Sequence, residues 1–587
     1  MLLKKIYWRE GMANYKSDQE DILFNLNDVL NIKQYESYGL DESSIKEILI
    51  EYDKFVENEI YPTRQESDEV GVKMTDDGVK VPECLKKVNQ AFYDMGWYAL
   101  GVAEDIEGTP VPEALSAACR SLSMGANTAW SMYPGLTKGA MNVMHKVGDD
   151  FIKKTFIPKI MSGQWGGTMC LTEAGAGSDV GNLKTTAKPI EGKEGWYKIQ
   201  GTKIFISSGE SDLYENNIHL VLARTPDGVA GTKGISLFVV PRFKINEDGS
   251  CGESNDVSCP SFEHKMGIHA SATCVLNFGD NNNCEGYLIG KEFEGMQNMF
   301  IMMNEARLDC GIQGESQGNL AYELTKQYVK ERVQFGTEIV NHADIKKSLL
   351  KMRAMSRGLR SLILYTANLF DRAKEDEKYE DYIGLLTPIC KSFCSEQGFE
   401  IAVEAVQAHG GYGYCSEYGV EQFVRDTKIA TIYEGTNGIQ AIDFVLRKIL
   451  KDQGKALKSL SEEIFKSSNN LGDEFTFERG IFSKAFAASQ DAMGYIGKHA
   501  KDKRMSYVLQ STKDFLDLSA HIVVAWRLME SAIVANKELE SASGDRKEFL
   551  ETKIVDFKIY CSQYLVKSIG LAKSIVSVDN DLAEYSI

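Results

Sequence analysis

Four short stretches of this chain carry residue types that could do chemistry. In the run ATIYEGTNGIQAID, Glu434 is a lone carboxylate among apolar residues just ahead of Gly435. Apolar surroundings disfavour its charged form and raise its pKa, which suits a general base acting on a weakly acidic carbon. A glutamate that merely opens the last helix and interacts with its dipole fits the same residues. The stretch MCLTEAGAGSDVGNLKTTA places Gly175, Gly177 and Gly181 in a loop whose backbone N–H groups could hold an anion such as a pyrophosphate. Its GxGxxxG spacing is one residue off the dinucleotide fingerprint, which also needs a helix afterwards. The residues that follow look like strand, so a nicotinamide site of that kind is not expected, and a glycine-rich turn without a ligand stays open. KERVQFG, residues 330–336, ends a long helix with a cation that could bind phosphate or complement the helix dipole. QAHGGYGY, from Gln407, stops a helix at Gly410 and Gly411, where a ligand or another chain could approach the backbone, or where one helix simply turns into the next.

These stretches need scaffolding. Residues 1–165 read mainly as helices, with apolar residues at helical spacing (Ile45, Ile48, Leu49, Tyr52, Phe55) behind the capping candidates Asp41, Ser43 and Ser44. Two further helices open with Pro82 and Pro112, which suits a first turn. From 166 to 290 short β-branched and aromatic runs, separated by Gly, Asp and Pro, predict an antiparallel β domain. Residues 291–453 return to long amphipathic helices, broken by DEKYED, and predict a four-helix bundle. Residues 454–587 form an additional helical extension. The fold class expected is α+β.

The chain has 587 residues, with 43% apolar and 26% charged, which excludes a disordered polymer. Its 66 basic and 84 acidic residues leave a net charge of −18. A field of that sign disfavours nucleic acid and anionic membranes as partners. No apolar run of transmembrane length occurs, and residues 1–11 read as a dispensable extension ahead of Met12 rather than a secretory signal. Twelve scattered cysteines without a CxxC pair predict free thiols, no metal site and a cytoplasmic location.

Taken together, CLTEAGAGSDVG, GTKIFISSGE, MNEAR, KERVQFG, QAHGGYGY and IYEGTNGIQAID resemble the acyl-CoA dehydrogenase family of flavoproteins across roughly residues 45–450. FEHKMGIHASATC, NNIHLVLAR and the long C-terminal block are similar to the long bacterial subfamily that includes 3-(methylthio)propanoyl-CoA dehydrogenases. The resemblance implies FAD held between a β domain and a helical bundle, and α,β-dehydrogenation of an acyl-CoA thioester to a trans-2-enoyl-CoA. It implies that Glu434 takes the α proton and that the β hydrogen leaves as hydride to the flavin N5. It further implies that electrons pass to an electron-transfer flavoprotein.

Carried over residue by residue, the resemblance puts Cys170, Leu171 and Thr172 along the flavin ring, with Gly177 and Ser178 approaching the flavin and the CoA chain. Phe205, Ile206 and Ser207 match the second flavin-facing strand; the family commonly has Trp where Phe205 stands. Arg332 and Phe335 match a pair that reaches a neighbouring subunit's FAD, joined by Gln407 and Gly411, which implies a homodimer. Thr436 matches a pyrophosphate-side contact, while Gly438 replaces a glutamine common in the family. Asn304 and Arg307 match an Asp-x-x-Arg pair near the CoA chain, with Asn in place of Asp. An acyl-CoA oxidase delivering electrons to oxygen, and a flavin-bound, DNA-associated relative without turnover, are the competing readings.

Overall fold

The computed structural model describes residues 14–577, 581–582 and 585–586; the expectation for residues 1–11 falls outside them. The chain forms two compact units. One comprises residues 55–111 and 126–306; the other comprises residues 14–54, 112–125 and 307–587.

In the first unit an eight-stranded sheet runs in the order Val257–Phe262, Thr273–Phe278, Trp196–Ser207, Glu285–Leu288, Ser236–Pro241, Asn216–Ala223, Trp165–Cys170, with Thr186–Pro189 paired to Trp196–Ser207. The sequence predicts antiparallel pairing throughout. The structure departs from it at one edge, where 165–170 lies parallel to 216–223. About 45 residues separate the two strands, enough for the chain to cross the sheet and return in the same direction. Every residue of 216–223 is buried, as befits a central strand covered on both faces. Phe238, Val240, Val221, Ile206, Cys274 and Phe278 belong to one core. The strands 257–262 and 285–288 were not expected, because Pro260, Gly286 and the polar residues around them hide the alternation.

The helices of this unit are capped as their sequences dictate. Asn127 accepts from the Trp130 N–H to start Thr128–Val147, and its amide donates to Thr63 and Ser67. Asp149 does the same for Asp150–Met161 through the Ile152 N–H.

The second unit holds the remainder of the helix Gly295–Glu331 together with Ala343–Arg372, Lys378–Ile389, Ser395–His409 and Asn437–Ile442. A π turn, Cys390–Cys394, joins 378–389 to 395–409 into one continuous rod, and the expected charged break separates it from 343–372 by the turn 373–377. Only the start of DEKYED is a turn; from Lys378 onward it is helical. The extension supplies Lys455–Ser468, Thr476–Lys501, Met505–Leu539, Gly544–Tyr560 and Val566–Val576. The helix 505–539 is long and apolar enough to cross a membrane, but 78% of its apolar window is buried within the protein. Asp41 accepts from the Ser44 N–H, 2.8 Å away, and so caps the helix Glu42–Phe55.

Candidate active site

The sheet unit gathers one group of the candidate residues. Strand 165–170 ends at buried Cys170, and the chain continues through half-buried Leu171 and Thr172. The Thr172 carbonyl accepts the Ile204 N–H at 2.9 Å, bringing Leu171–Thr172 beside Phe205–Ser207. Where strand 196–207 meets 273–278 the register slips: Ile206 faces Cys274, but Lys203 faces Leu276. This β-bulge puts Phe205 in the left-handed region at φ +59, a costly conformation for a non-glycine residue. The result is a phenyl ring 58% exposed, next to buried Ile206.

Next to these residues lies a buried ion pair. The Lys203 ammonium, 0% exposed, reaches Glu173 Oε1 at 2.8 Å and the Leu171 carbonyl at 3.1 Å. Burial alone would raise the Glu173 carboxyl, but Lys203 and the donors of Thr185 and Lys184 hold it below the ordinary value. Those donors are the Lys184 N–H, the Thr185 N–H and the Thr185 hydroxyl. Glu173 therefore closes the neck of the glycine loop, while Arg224 grips the Gly181, Leu183, Val229 and Gly231 carbonyls. Gly177 and Ser178 stand exposed on that loop. Strand 186–189 follows it and no Rossmann helix does, as the sequence predicts.

In the helical unit, Glu434 sits at φ +56, after Ile432 and Tyr433 that follow the turn Ile429–Thr431, and ahead of the helix 437–442. Gln440 Nε2 donates to its carbonyl at 3.0 Å, and Thr436 caps the helix by accepting from the Ile439 N–H. Desolvation raises the Glu434 pKa, opposed by Lys391 and then Arg307. Arg307, on the 295–331 helix, bonds Asp443 at 3.3 Å, and Asp443 also takes Arg447 at 3.2 Å. Cys310, one turn further on, is buried and feels the Glu434 charge, so its thiol stays protonated. The Tyr433 hydroxyl donates to Gln313 Oε1, and Gln313 Nε2 donates to the Asp426 carbonyl. This part of the helical unit thus holds a carboxylate whose pKa burial raises and two cations that oppose the rise, a balance that suits a general base.

A second corner of the helical unit gathers four more of the expected residues. The Arg332 guanidinium lies 5.2 Å over the Tyr412 ring. Phe335, 95% exposed, occupies the tip of the hairpin Val333–Gln334 and Thr337–Glu338 at φ +54. Tyr328 stacks on His409 at 4.2 Å and donates to its carbonyl, fixing Gln407 and Gly411 beside this corner. A Cβ on Gly410 or Gly411 would meet nothing within 4 Å. Thr436 lies with Glu434. Asn304 is exposed one turn before Arg307 on the 295–331 helix.

Taken separately, each surface has chemistry that a part of a flavin dinucleotide could use: in the sheet unit, an exposed phenyl ring beside half-buried Leu171, Thr172 and Ser207 suits a planar heterocycle, and in the helical unit, open glycines with a nearby arginine suit a diphosphate. Sequence reasoning missed Lys391, Cys310 and the Glu173–Lys203 pair. Lys391 and Cys310 lie outside the quoted motifs, whereas Glu173 and Lys203 lie within CLTEAGAGSDVG and GTKIFISSGE, where spacing alone does not pair them.

Family models match three successive stretches: the acyl-CoA dehydrogenase middle domain at 168–281, its C-terminal domain at 294–450, and an acetyl-CoA dehydrogenase C-terminal-like domain at 454–586. The chain is 35% identical to a 3-methylmercaptopropionyl-CoA dehydrogenase of Ruegeria pomeroyi, over 98% of this chain and 100% of the relative. It is 34% identical to the broad-specificity linear acyl-CoA dehydrogenase FadE5 of Mycobacterium tuberculosis, over 98% and 99% of the two chains. Among solved structures, an acyl-CoA dehydrogenase complexed with FAD from Bacillus anthracis superposes with a TM-score of 0.74 at 22% identity, covering 95% of this chain and 92% of that one. Sequence likeness over nearly the whole chain, joined to this arrangement of sheet and helices, makes the protein a long-form member of the acyl-CoA dehydrogenase family, FAD-dependent oxidoreductases acting on CH–CH bonds.

Proposed function

We propose that this enzyme desaturates an acyl-CoA thioester between the α and β carbons, with Glu434 as the base. The observation that carries the reading is Glu434 itself: a desolvated carboxylate in a left-handed turn, its pKa raised by burial against the opposing charges of Lys391 and Arg307. Its carboxylate takes the α proton. The electron pair left on the α carbon forms the new C–C double bond as the β hydrogen departs with its own pair. Bound FAD supplies the acceptor for that hydride. The candidate FAD contacts are Cys170, Leu171, Thr172, Gly177, Ser178, Phe205, Ile206, Ser207 and Thr436, with Ser178, Asn304 and Arg307 toward the CoA chain. Desolvation strengthens the base, and the flanking cations keep it ionised.

We assign Arg332, Phe335, Gln407 and Gly411 to the FAD of a second copy of the chain. A phenyl ring as exposed as Phe335 on a hairpin tip, beside open glycines, supports a homodimer in which it is covered. Electron delivery to an electron-transfer flavoprotein in the cytoplasm completes the proposal, supported by the resemblance to dehydrogenases and by twelve free cysteines. The test is anaerobic addition of a panel of acyl-CoAs to the purified yellow protein. Bleaching with formation of the 2-enoyl product supports the reading; no bleaching with any chain length refutes it. Peroxide formed stoichiometrically in air would identify an oxidase instead.

A further inference from the structure

Lys391 lies in the π turn Cys390–Cys394, where five consecutive residues are all buried. A π turn widens the helix by one residue and recurs at functional sites; here it carries a lysine that is 0% exposed. Its ammonium donates to Asn437 Oδ1 at 2.8 Å. Asn437 lies three residues beyond Glu434 in the chain. On the other side, the Asn437 amide donates to Glu396 Oε1 at 2.9 Å and to the Ser392 carbonyl and Ser395 hydroxyl, both at 3.2 Å. Glu396 Oε2 takes the Lys513 ammonium at 2.8 Å, and Lys513 is held in turn by Asp517 at 2.6 Å. Lys513 and Asp517 belong to the 505–539 helix of the extension.

Charges alternate along the bonded path Lys391, Glu396, Lys513, Asp517; Lys391 is tied to the helix that follows the Glu434 turn and acts on Glu434 through its field, without an ion pair. The Asn437 amide between Lys391 and Glu396 can point only one way, its oxygen to the cation and its nitrogen to the anion. Taking the basis of this path as the assignment of Glu434 as the base, we propose that Lys391 sets the ionisation of Glu434. We further propose that the C-terminal extension, through Lys513, Glu396 and Asn437, is the positioning device that holds Lys391 there. Lys391 is a positioning residue, not a catalytic one.

The other groups facing Glu434 leave this role to Lys391. Arg307 is engaged by Asp443. Cys310 and Tyr433 are pushed upward by burial and remain neutral. Burial lowers Lys391 from its ordinary value, while Cys310, Glu434 and Glu396 oppose that loss. Burial pushes Asp517 up to about 6, against the pull of Lys513, so the outer end of the path loosens in mild acid.

The test is the pH dependence of anaerobic flavin bleaching by the acyl-CoA that bleaches the wild-type holoenzyme fastest. Removing a facing cation should move the acid limb of Lys391→Met upward by about one pH unit, with a smaller loss at the alkaline plateau. Lys391→Arg should restore the limb. Lys513→Met should move it in the same direction by a smaller amount. An unchanged limb in folded, FAD-loaded Lys391→Met overturns the role of Lys391, and an unchanged limb in Lys513→Met overturns the role of the extension. If Lys391→Met does not fold, Lys513→Met decides, since Lys513 is partly exposed and tolerates truncation better. Glu434→Gln separates the two readings: bleaching by that variant refutes the base assignment itself, whereas its loss beside an unmoved Lys391→Met limb refutes only this inference.

Discussion

Glu434 draws its chemistry from a conflict between burial and charge. Desolvation raises its pKa and makes it a better proton acceptor, while Lys391 and Arg307 limit the rise. A raised value has a definite sign: the base is lost by protonation as pH falls through it, so the bleaching rate should drop at a higher pH than an ordinary carboxylate would give. A pH–rate profile whose acid limb lies near the ordinary carboxylate value of about 4.3 would contradict this. Glu434→Gln keeps the shape but cannot take a proton. We expect bleaching to slow by about 10² to 10⁴ in stopped-flow mixing while the protein stays yellow. Phe205 is the other residue whose conformation speaks for function. A phenyl group held at φ +59 and left exposed is costly for the apo-protein. Phe205→Gly should therefore leave the melting temperature unchanged or raised, yet weaken FAD binding in a fluorescence titration; a loss of stability with unaltered FAD affinity would show that the bulge serves packing alone.

At the scale of elements, the glycine loop is a device closed at its neck. Glu173 ties the Leu171–Thr172 end to Lys184–Thr185, and Lys203 neutralises it from below. Lys203→Met leaves Glu173 buried without its cation. Breaking a buried pair on one side costs about 3–5 kcal/mol, so urea unfolding should show a loss of that order. With the loop neck loosened, FAD affinity should fall about tenfold or more, equivalent to about 1.4 kcal/mol or above. Wild-type FAD affinity in a folded Lys203→Met protein would separate the ion pair from cofactor binding.

At the scale of the molecule, the helical unit is bound together by charge across distant parts of the chain. Asp21, fully buried, pairs with Lys553 and with Arg360 at 2.8 Å, and Asp556 takes Arg353 at 2.6 Å and Arg357 at 3.0 Å. Phe24 packs edge-on against Phe549 at 5.4 Å beside them. Residues near the start of the chain are thus built into the core of the extension. Burial would raise the Asp21 carboxyl, but Lys553, Arg357 and Arg360 outweigh it and hold the pKa below its ordinary value. Such a group contributes stability above its unfolded value and loses it as pH falls through the folded one. The contribution is therefore full at neutral pH and disappears in strong acid, below about pH 4. Asp21→Asn should cost about 3–5 kcal/mol at pH 7 by denaturant unfolding, and the difference from wild type should shrink on acidification; a constant difference across that range would contradict the pairing.

Much of this was legible in the residues. The order of helical, β and helical segments follows from hydrophobic periodicity, and Glu434 stood out as a lone carboxylate in an apolar run next to a glycine, although by itself that run equally fits a glutamate opening a helix and only the family resemblance singled it out as a base. The local caps at Asp41 and the glycine stop at Gly410 follow from side chains acting on their own backbone. What the sequence alone did not determine were relations between residues far apart. The parallel pairing of 165–170 with 216–223 depends on which sheet edge the chain returns to. The bulge at Phe205 depends on the partner strand's register, and the exposed ring is its consequence. Lys391 looks like any lysine in a helix until the π turn buries it against Asn437. An ion's meaning depends on its partners: Asp21 and Lys553 are 532 positions apart, and only folding makes them a pair.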